Sequence, residues 1–338
     1  MFNIGDKSMK VIQVLSLRRG TLTACALLLA FGASAARAQP ATYPDKPVRI
    51  VSISSAGTGV DDFTRLLAQY LSQKTGQTFY VEPKPGANTA IAADHVAKSA
   101  PDGYTLLLAA ASTLVANPYM IKNLPYDPNK DLAPIARLSV IPIALTVPAN
   151  SPYQTLGDLM TAGRAAPGKL NYGSATTGYT AMTEAVNGSF GVRAVNVPYK
   201  GSGLMLPDLM SGRLDYAMVE ISQATPQVQA GRLRALAVSS PSRVGVLPEV
   251  PTLAEAGASE AALMSWLGLM APTGTPQPII DKLSKLSVEF VNSPEANAHF
   301  KQRGSGPYAA DAAAFRTAIL EEQAKWKRYI EAAGIKAE

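Results

Sequence analysis

"VSISSAGTGVDDFTRLLAQYL" (residues 51–71) runs from an apolar, β-branched end through a turn of small residues into a helical pattern. The strand extends back over "VRIVSIS" (48–54). In "DDFTRLLAQYLSQ" (61–73), Phe63, Leu66, Leu67, Tyr70 and Leu71 share one helical face. Gly57 and Gly59 allow a tight turn and close backbone approach, and the helix start offers free N–H groups and a positive dipole end. This layout suits an anion. It is not a phosphate loop, because no G-x-x-x-x-G-K-[ST] is present. It is a poor dinucleotide loop too, since Asp62 stands at the third glycine position, where an acid repels a pyrophosphate. Asp61 and Ser55 also read as helix caps. A Gly57→Val change is expected to weaken binding more than stability, by blocking backbone approach.

Outward from this stretch, "TFYVEPK" (78–84) reads as a strand, "TAIAADHVAKSA" (89–100) as a helix and "YTLLLAA" (104–110) as a buried strand. This βαβαβ order predicts a parallel sheet with helices on its faces. A proline-rich irregular stretch (117–134) follows, and "SVIPIALTVPAN" (139–150) reads as one strand. The alternation then restarts. Thr155 and Asp158 are spaced as a capping box, "KLNYGSA" (169–175) is a strand, "TTGYT" (176–180) a glycine loop and "AMTEAVNGSF" (181–190) a helix. "AVNVPYKGSG" (194–203) runs into another glycine loop, and Thr252 with Glu255 suggests a further cap. "LMSWLGLMAP" (263–272) is strand-like. Two helices close the chain, 278–293 and 313–334, the latter burying Phe315, Ile319, Trp326 and Ile330. Read serially, these are two α/β units without a floppy linker.

The chain has 338 residues. Its beginning reads as a secretory leader: Lys7, Lys10, Arg18 and Arg19, then the apolar "TLTACALLLAFGA" (21–33), then "ARA" (36–38) before Gln39. Export to the periplasm with cleavage after Ala38 is expected, leaving about 300 residues. Cys25, the only cysteine, leaves with the leader. Five of the 31 basic residues and one of the 25 acidic ones precede Gln39, so the remainder carries 26 against 24. No basic stripe interleaved with aromatics points to nucleic acid.

Catalytic groups are scarce. There is no G-x-S-x-G or S-x-x-K, and His95 and His299 each stand alone. No H-E-x-x-H or His/Asp cluster suggests a metal, and no cofactor motif is present. Small hydroxyls and helix starts in both units instead suit a carboxylate in a shared cleft. Lys200 could add charge, and Tyr199 or Tyr179 could stack on a ligand. A serine hydrolase acting through "YGSATTG" lacks a base.

Several motifs in order carry a resemblance: "APDGYTLLL" (100–108), "NLPYDPNKDLAPI" (123–135), "PGKLNYGSA" (167–175), "GRLRALAVSS" (231–240), "LPEVPTLAEAG" (247–257) and "SWLGLMAPTGTP" (265–276). The chain resembles the periplasmic solute-binding proteins of tripartite tricarboxylate transporters, the Bug family. The resemblance implies an α/β, type II periplasmic-binding-protein-like Venus flytrap, two α/β lobes joined by two crossing strands. Lobe one would comprise 39–142 and 264–338, and lobe two 143–263. No catalysis, metal or cofactor is implied. The expected partners are a small organic carboxylate (di- or tricarboxylate, amino acid or aromatic acid) and the membrane subunits of a transporter, or a receptor if the chain is a sensor subunit. The protein is expected to be monomeric. Ligand positions carried over in lobe one are Ser54, Ser55, Ala56, Gly57, Thr58, Gly59, Asp61, Ala111 and Ser112. Those in lobe two are Ser174, Ala175, Thr177, Gly178, Tyr179, Tyr199, Lys200 and Glu220. The first loop departs from the family's P-F-P-P-G-G-x-x-D pattern, with hydroxyls replacing prolines and Thr58 replacing a glycine.

Overall fold

A computed structural model describes residues 43–261, 263–332, 335 and 337. The expected leader lies outside them. By contact the chain divides into Met1–Asp45 and Lys46–Glu338. Everything below concerns the second unit.

Two mixed sheets organise it. The first has the order β11-β4-β10-β3-β1-β2, built from β1 (Val48–Ser52), β2 (Phe79–Pro83), β3 (Thr105–Ala110), β4 (Leu132–Ile141), β10 (Ser265–Pro272) and β11 (Gly306–Ala310). The second has the order β7-β6-β8-β5-β9, from β5 (Ile143–Pro148), β6 (Asn171–Ser174), β7 (Val195–Pro198), β8 (Tyr216–Glu220) and β9 (Leu233–Val238). β1, β2 and β3 are parallel, as their βαβαβ order predicts. β10 pairs antiparallel with both β3 and β4, so the sheet is mixed.

The run 139–150 is two strands and not one. Pro142 interrupts it, and the chain passes from the first sheet at Ile141 to the second at Ile143. A proline has no N–H for a ladder and so suits such a break. The return passage lies between β9 and β10. The molecule is thus a two-lobed α/β fold crossed twice by the chain, and the serial reading of two independent units is corrected. Sequence reading also missed β11 and the helix α9 (Pro294–Arg303).

Helix α1 (Gly59–Thr75) shows why the opening stretch folds as it does. Thr58 caps it by accepting from the Asp61 N–H, and Gly76 closes it in the left-handed conformation. Phe63, Leu67 and Leu71, four apart, are all buried. Each contributes about 1.5–3 kcal/mol by leaving water. In α4 (Leu156–Ala165) the predicted capping box is complete. (The intervening helices are α2, Ala90–Ala97, and α3, Asn117–Met120.) Thr252 and Glu255 exchange the same reciprocal bonds, at 2.7 and 3.0 Å, but around a turn that no α-helix follows.

The remaining helices are α5 (Thr177–Ser189), α6 (Ser202–Met210), α7 (Ile221–Gln229), α8 (Gln277–Val291) and α10 (Ala312–Ala332). In α10, Phe315, Ile319, Trp326 and Ile330 are buried. Among the described residues no helix is long and apolar enough to cross a membrane.

Candidate functional site

A cleft of about 1740 Å³ is lined by loops from both sheets. From the first sheet come Ser54, Ser55 and Thr58, at the end of β1 and the start of α1, together with residues 85–89 after β2. From the second come Ser174 to Thr177 between β6 and α5, Tyr199 to Leu204 between β7 and α6, and Glu220 with Gln223 at the start of α7. Four helix starts therefore border one space, where unpaired N–H groups and the positive dipole ends favour an anion. Ser54 and Thr58 share a hydrogen bond of 2.8 Å. Thr58 donates to the Ser55 carbonyl at 2.9 Å, which fixes both hydroxyls.

The opening turn already holds an anion of its own. Asp61 is buried, and its carboxylate accepts from the Gly57 N–H at 3.0 Å and from Arg65 at 2.8 Å. Burial works against the charged form, yet these bonds hold its pKa below the ordinary carboxylate value. So one N–H that the sequence offers to a ligand is taken by the chain itself.

Of the carried-over positions, Ser54, Ser55, Thr58, Ser174, Ala175, Thr177, Tyr199, Lys200 and Glu220 line the cleft. The others lie elsewhere. Ala56 and Gly57 are exposed outside its lining, and Gly59 borders a small cavity beside Phe63 and Arg303. Ala111 and Ser112 are buried at the end of β3, and Gly178 sits against Ser112 and Trp326. Tyr179 is buried and donates its hydroxyl to Glu220 Oε1 at 2.8 Å, so it is not placed to stack on a ligand. Its spacing with Met182 and Val186, both buried, is that of a core face.

Gly57 lies outside the lining of the cleft, which gives a different expectation for its replacement. A Cβ at Gly57 meets nothing within 4 Å, but its φ is +78°. Gly57→Val should therefore cost about 1–2 kcal/mol of stability through the left-handed backbone. Affinity for a ligand of the cleft should change little, a contrast that thermal melts and titration of one sample would read.

Sequence reasoning missed the loop after β2. Gly86 has φ +120°, and the next three residues, Ala87, Asn88 and Thr89, have φ of 45°, 51° and 75°. Three consecutive non-glycine residues in this region are costly and persist only where surroundings enforce them. Here Asn117, fully buried, donates from Nδ2 to the Asn88 carbonyl at 2.7 Å. The hydroxyls of Thr89 and Thr113 bond at 2.8 Å. Thr177, at the start of α5, donates to Asn117 Oδ1 at 2.9 Å. One side chain thus ties the strained loop of the first lobe to a helix start of the second. The only sequence signal was "PGAN" between a strand and a helix, the same layout as the opening stretch.

The second lobe contributes carboxyls. Glu184 lines the cleft, and burial raises its pKa above the ordinary value. Its folded-state pKa exceeds the unfolded one, so stability falls as pH rises through that interval. Glu184→Gln should then raise the melting temperature at neutral pH and flatten this part of the pH profile. Unfolding scans from pH 4 to 8 would check both.

A second cavity of about 760 Å³ is lined by Lys84, Ile91, Asp94, His95 and Lys98, with Thr177 the only one of the described residues to reach it from the second lobe. His299 packs against the Phe63 and Phe300 rings, which also touch each other. Ser174 donates to Asn196 at 2.8 Å, not to a histidine. Among the described residues no group of three or more His, Cys, Asp or Glu side chains could hold a metal.

The sequence model of the tripartite tricarboxylate transporter family receptor matches residues 63–335. The chain belongs to this family. The resemblance read from its motifs is thereby borne out. It is 36% identical to a UPF0065 protein of Bordetella bronchiseptica, over 94% of this chain and 93% of that one. Among solved structures it is similar to Rpa4515 of R. palustris with adipate (31% identity, 88% of this chain and 100% of that one, TM-score 0.82). It is also similar to MatC of Rhodopseudomonas palustris with bound malate (28%, 85% and 100%, TM-score 0.77). As a receptor of this family the protein is a solute-binding protein and not an enzyme.

Proposed function

We propose that this receptor captures a small organic carboxylate in the periplasm, between lobes formed by 39–142 with 264–338 and by 143–263, and delivers it to the membrane subunits of a tripartite tricarboxylate-type transporter. It acts as a monomer, after cleavage following Ala38. The observation that carries this reading is the single cleft bordered by helix starts and hydroxyls from both lobes. The relatives solved with adipate and with malate support the ligand class. Ligand contacts come from Ser54, Ser55 and Thr58 on one side and Ser174, Thr176 and Thr177 on the other. Closure is a shift between open and closed lobe arrangements.

A thermal-shift screen of mono-, di- and tricarboxylates, amino acids and aromatic acids tests the ligand class. At least one should stabilise the protein, and small-angle scattering should then show compaction. Silence across the whole panel would overturn the reading.

A further inference from the structure

The ionisable groups of the cleft divide by position. Its two cations, Arg193 and Lys200, are exposed, whereas Glu184 and Glu220 are partly buried. A site made only for anions would place its charges the other way round.

Glu220 is firmly held. It ends β8 opposite Ile143, and the next residue, Ile221, donates its N–H to the Pro142 carbonyl at 3.0 Å. This is where the chain passes between the lobes. Tyr179 bonds Oε1 at 2.8 Å, and among the described residues no donor bonds Oε2. Nor, among them, does a lysine or arginine stand beside the carboxyl, whose pKa is raised mainly by burial. Arg303, which lines a small cavity with Glu220, bonds Asp62 through one terminal nitrogen and makes no ion pair with Glu220, while its buried Nε has no partner among the described residues. Glu220 is only partly buried and lines the cleft, so Oε2 is open to a donor from a ligand, and a cation there would offset the cost of burying the carboxylate.

Resting on the carboxylate reading above, we propose that the ligand carries a cationic amine as well as its carboxylate, and that Glu220 receives the amine. The carboxylate takes the helix starts and hydroxyls, and the ammonium takes the free oxygen of Glu220. The two charges of the ligand thereby meet opposite partners in one cleft. A second carboxylate brought to Glu220 would instead meet a like charge and be disfavoured.

The test uses matched acids that differ only in the amine: glutamate against glutarate, aspartate against succinate, and 4-aminobutyrate against butyrate. Each is titrated calorimetrically into the wild type and into Glu220→Gln, which keeps an acceptor for Tyr179. The amine-bearing member of at least one pair should bind roughly tenfold tighter or better, about 1.4 kcal/mol. Glu220→Gln should erase that preference while the protein stays folded. The proposal fails if amine-free acids bind as tightly as their partners, if the variant keeps the preference, or if the only binders found in the wider carboxylate screen lack an amine. In those cases the carboxylate reading survives alone. If no acid of either kind binds, both readings fall together.

Discussion

Replacing Arg137 by alanine should cost about 3–5 kcal/mol of unfolding free energy, the usual penalty for breaking a buried ion pair from one side. Arg137 is 3% exposed on β4, the strand that leads to the first crossing. Its guanidinium meets Glu322 of α10 at 2.7 Å and lies over the Tyr308 and Trp266 rings, 4.1 and 5.0 Å from their centroids. It therefore joins β4, β10, β11 and α10. Alanine removes the charge and the stacked apolar stem together, and leaves Glu322 with Trp266 Nε1 as its one partner among the described residues. Arg137→Met keeps most of the packing and should recover part of the loss. Urea unfolding of the three proteins would check the order; a wild-type midpoint for Arg137→Ala would show that the pair contributes nothing.

Asn117→Ala should have the larger effect on function. It removes the bond to Asn88, the acceptor for Thr177 and a contact of 3.3 Å with the Tyr126 hydroxyl. Leaving such buried groups unmatched costs about 1–3 kcal/mol each. The loop at Ala87 to Thr89 loses the anchor that maintains its left-handed backbone, so affinity for the cleft ligand should fall by roughly tenfold or more. Thr177→Val removes the bond between lobes and one hydroxyl of the cleft but spares the bond from Asn117 to Asn88. It should cost less stability than Asn117→Ala, about 1–3 kcal/mol for the one acceptor left unmatched, while raising the ligand off-rate. Equal loss of stability and affinity in both variants would reduce Asn117 to a structural residue.

The parts of the fold that the sequence revealed are those where burial is strong and local. β1 and β3 are apolar runs with nearly every side chain buried, and the stripe at Phe63, Leu67 and Leu71 has helical spacing. β11 stayed hidden because "GPYAA" is an edge strand whose side chains are mostly exposed, and no alternation marks it. The run 139–150 hid a change of sheet because both β4 and β5 are buried and the apolar pattern continues across Pro142. Only pairing partners far along the chain separate them.

The site was legible in its loops and less so in its side chains. Strand, turn and helix start located the loops after β1, β6 and β7. Whether a residue in such a loop faces the cleft depends on tertiary bonds that spacing does not encode. Asp61 turns inward because it meets the Gly57 N–H and Arg65, and Tyr179 because it meets Glu220. The loop at Gly86 to Thr89 depends on a buried asparagine some thirty residues later, at position 117.

Hydrogen–deuterium exchange with and without the best carboxylate from the screen tests the central claim most directly. One ligand held by loops of both lobes should protect residues 54–60 and 174–180 together, with added protection at 199–204. Protection confined to one lobe, or to the cavity beside His95 and Lys98, would contradict a shared cleft.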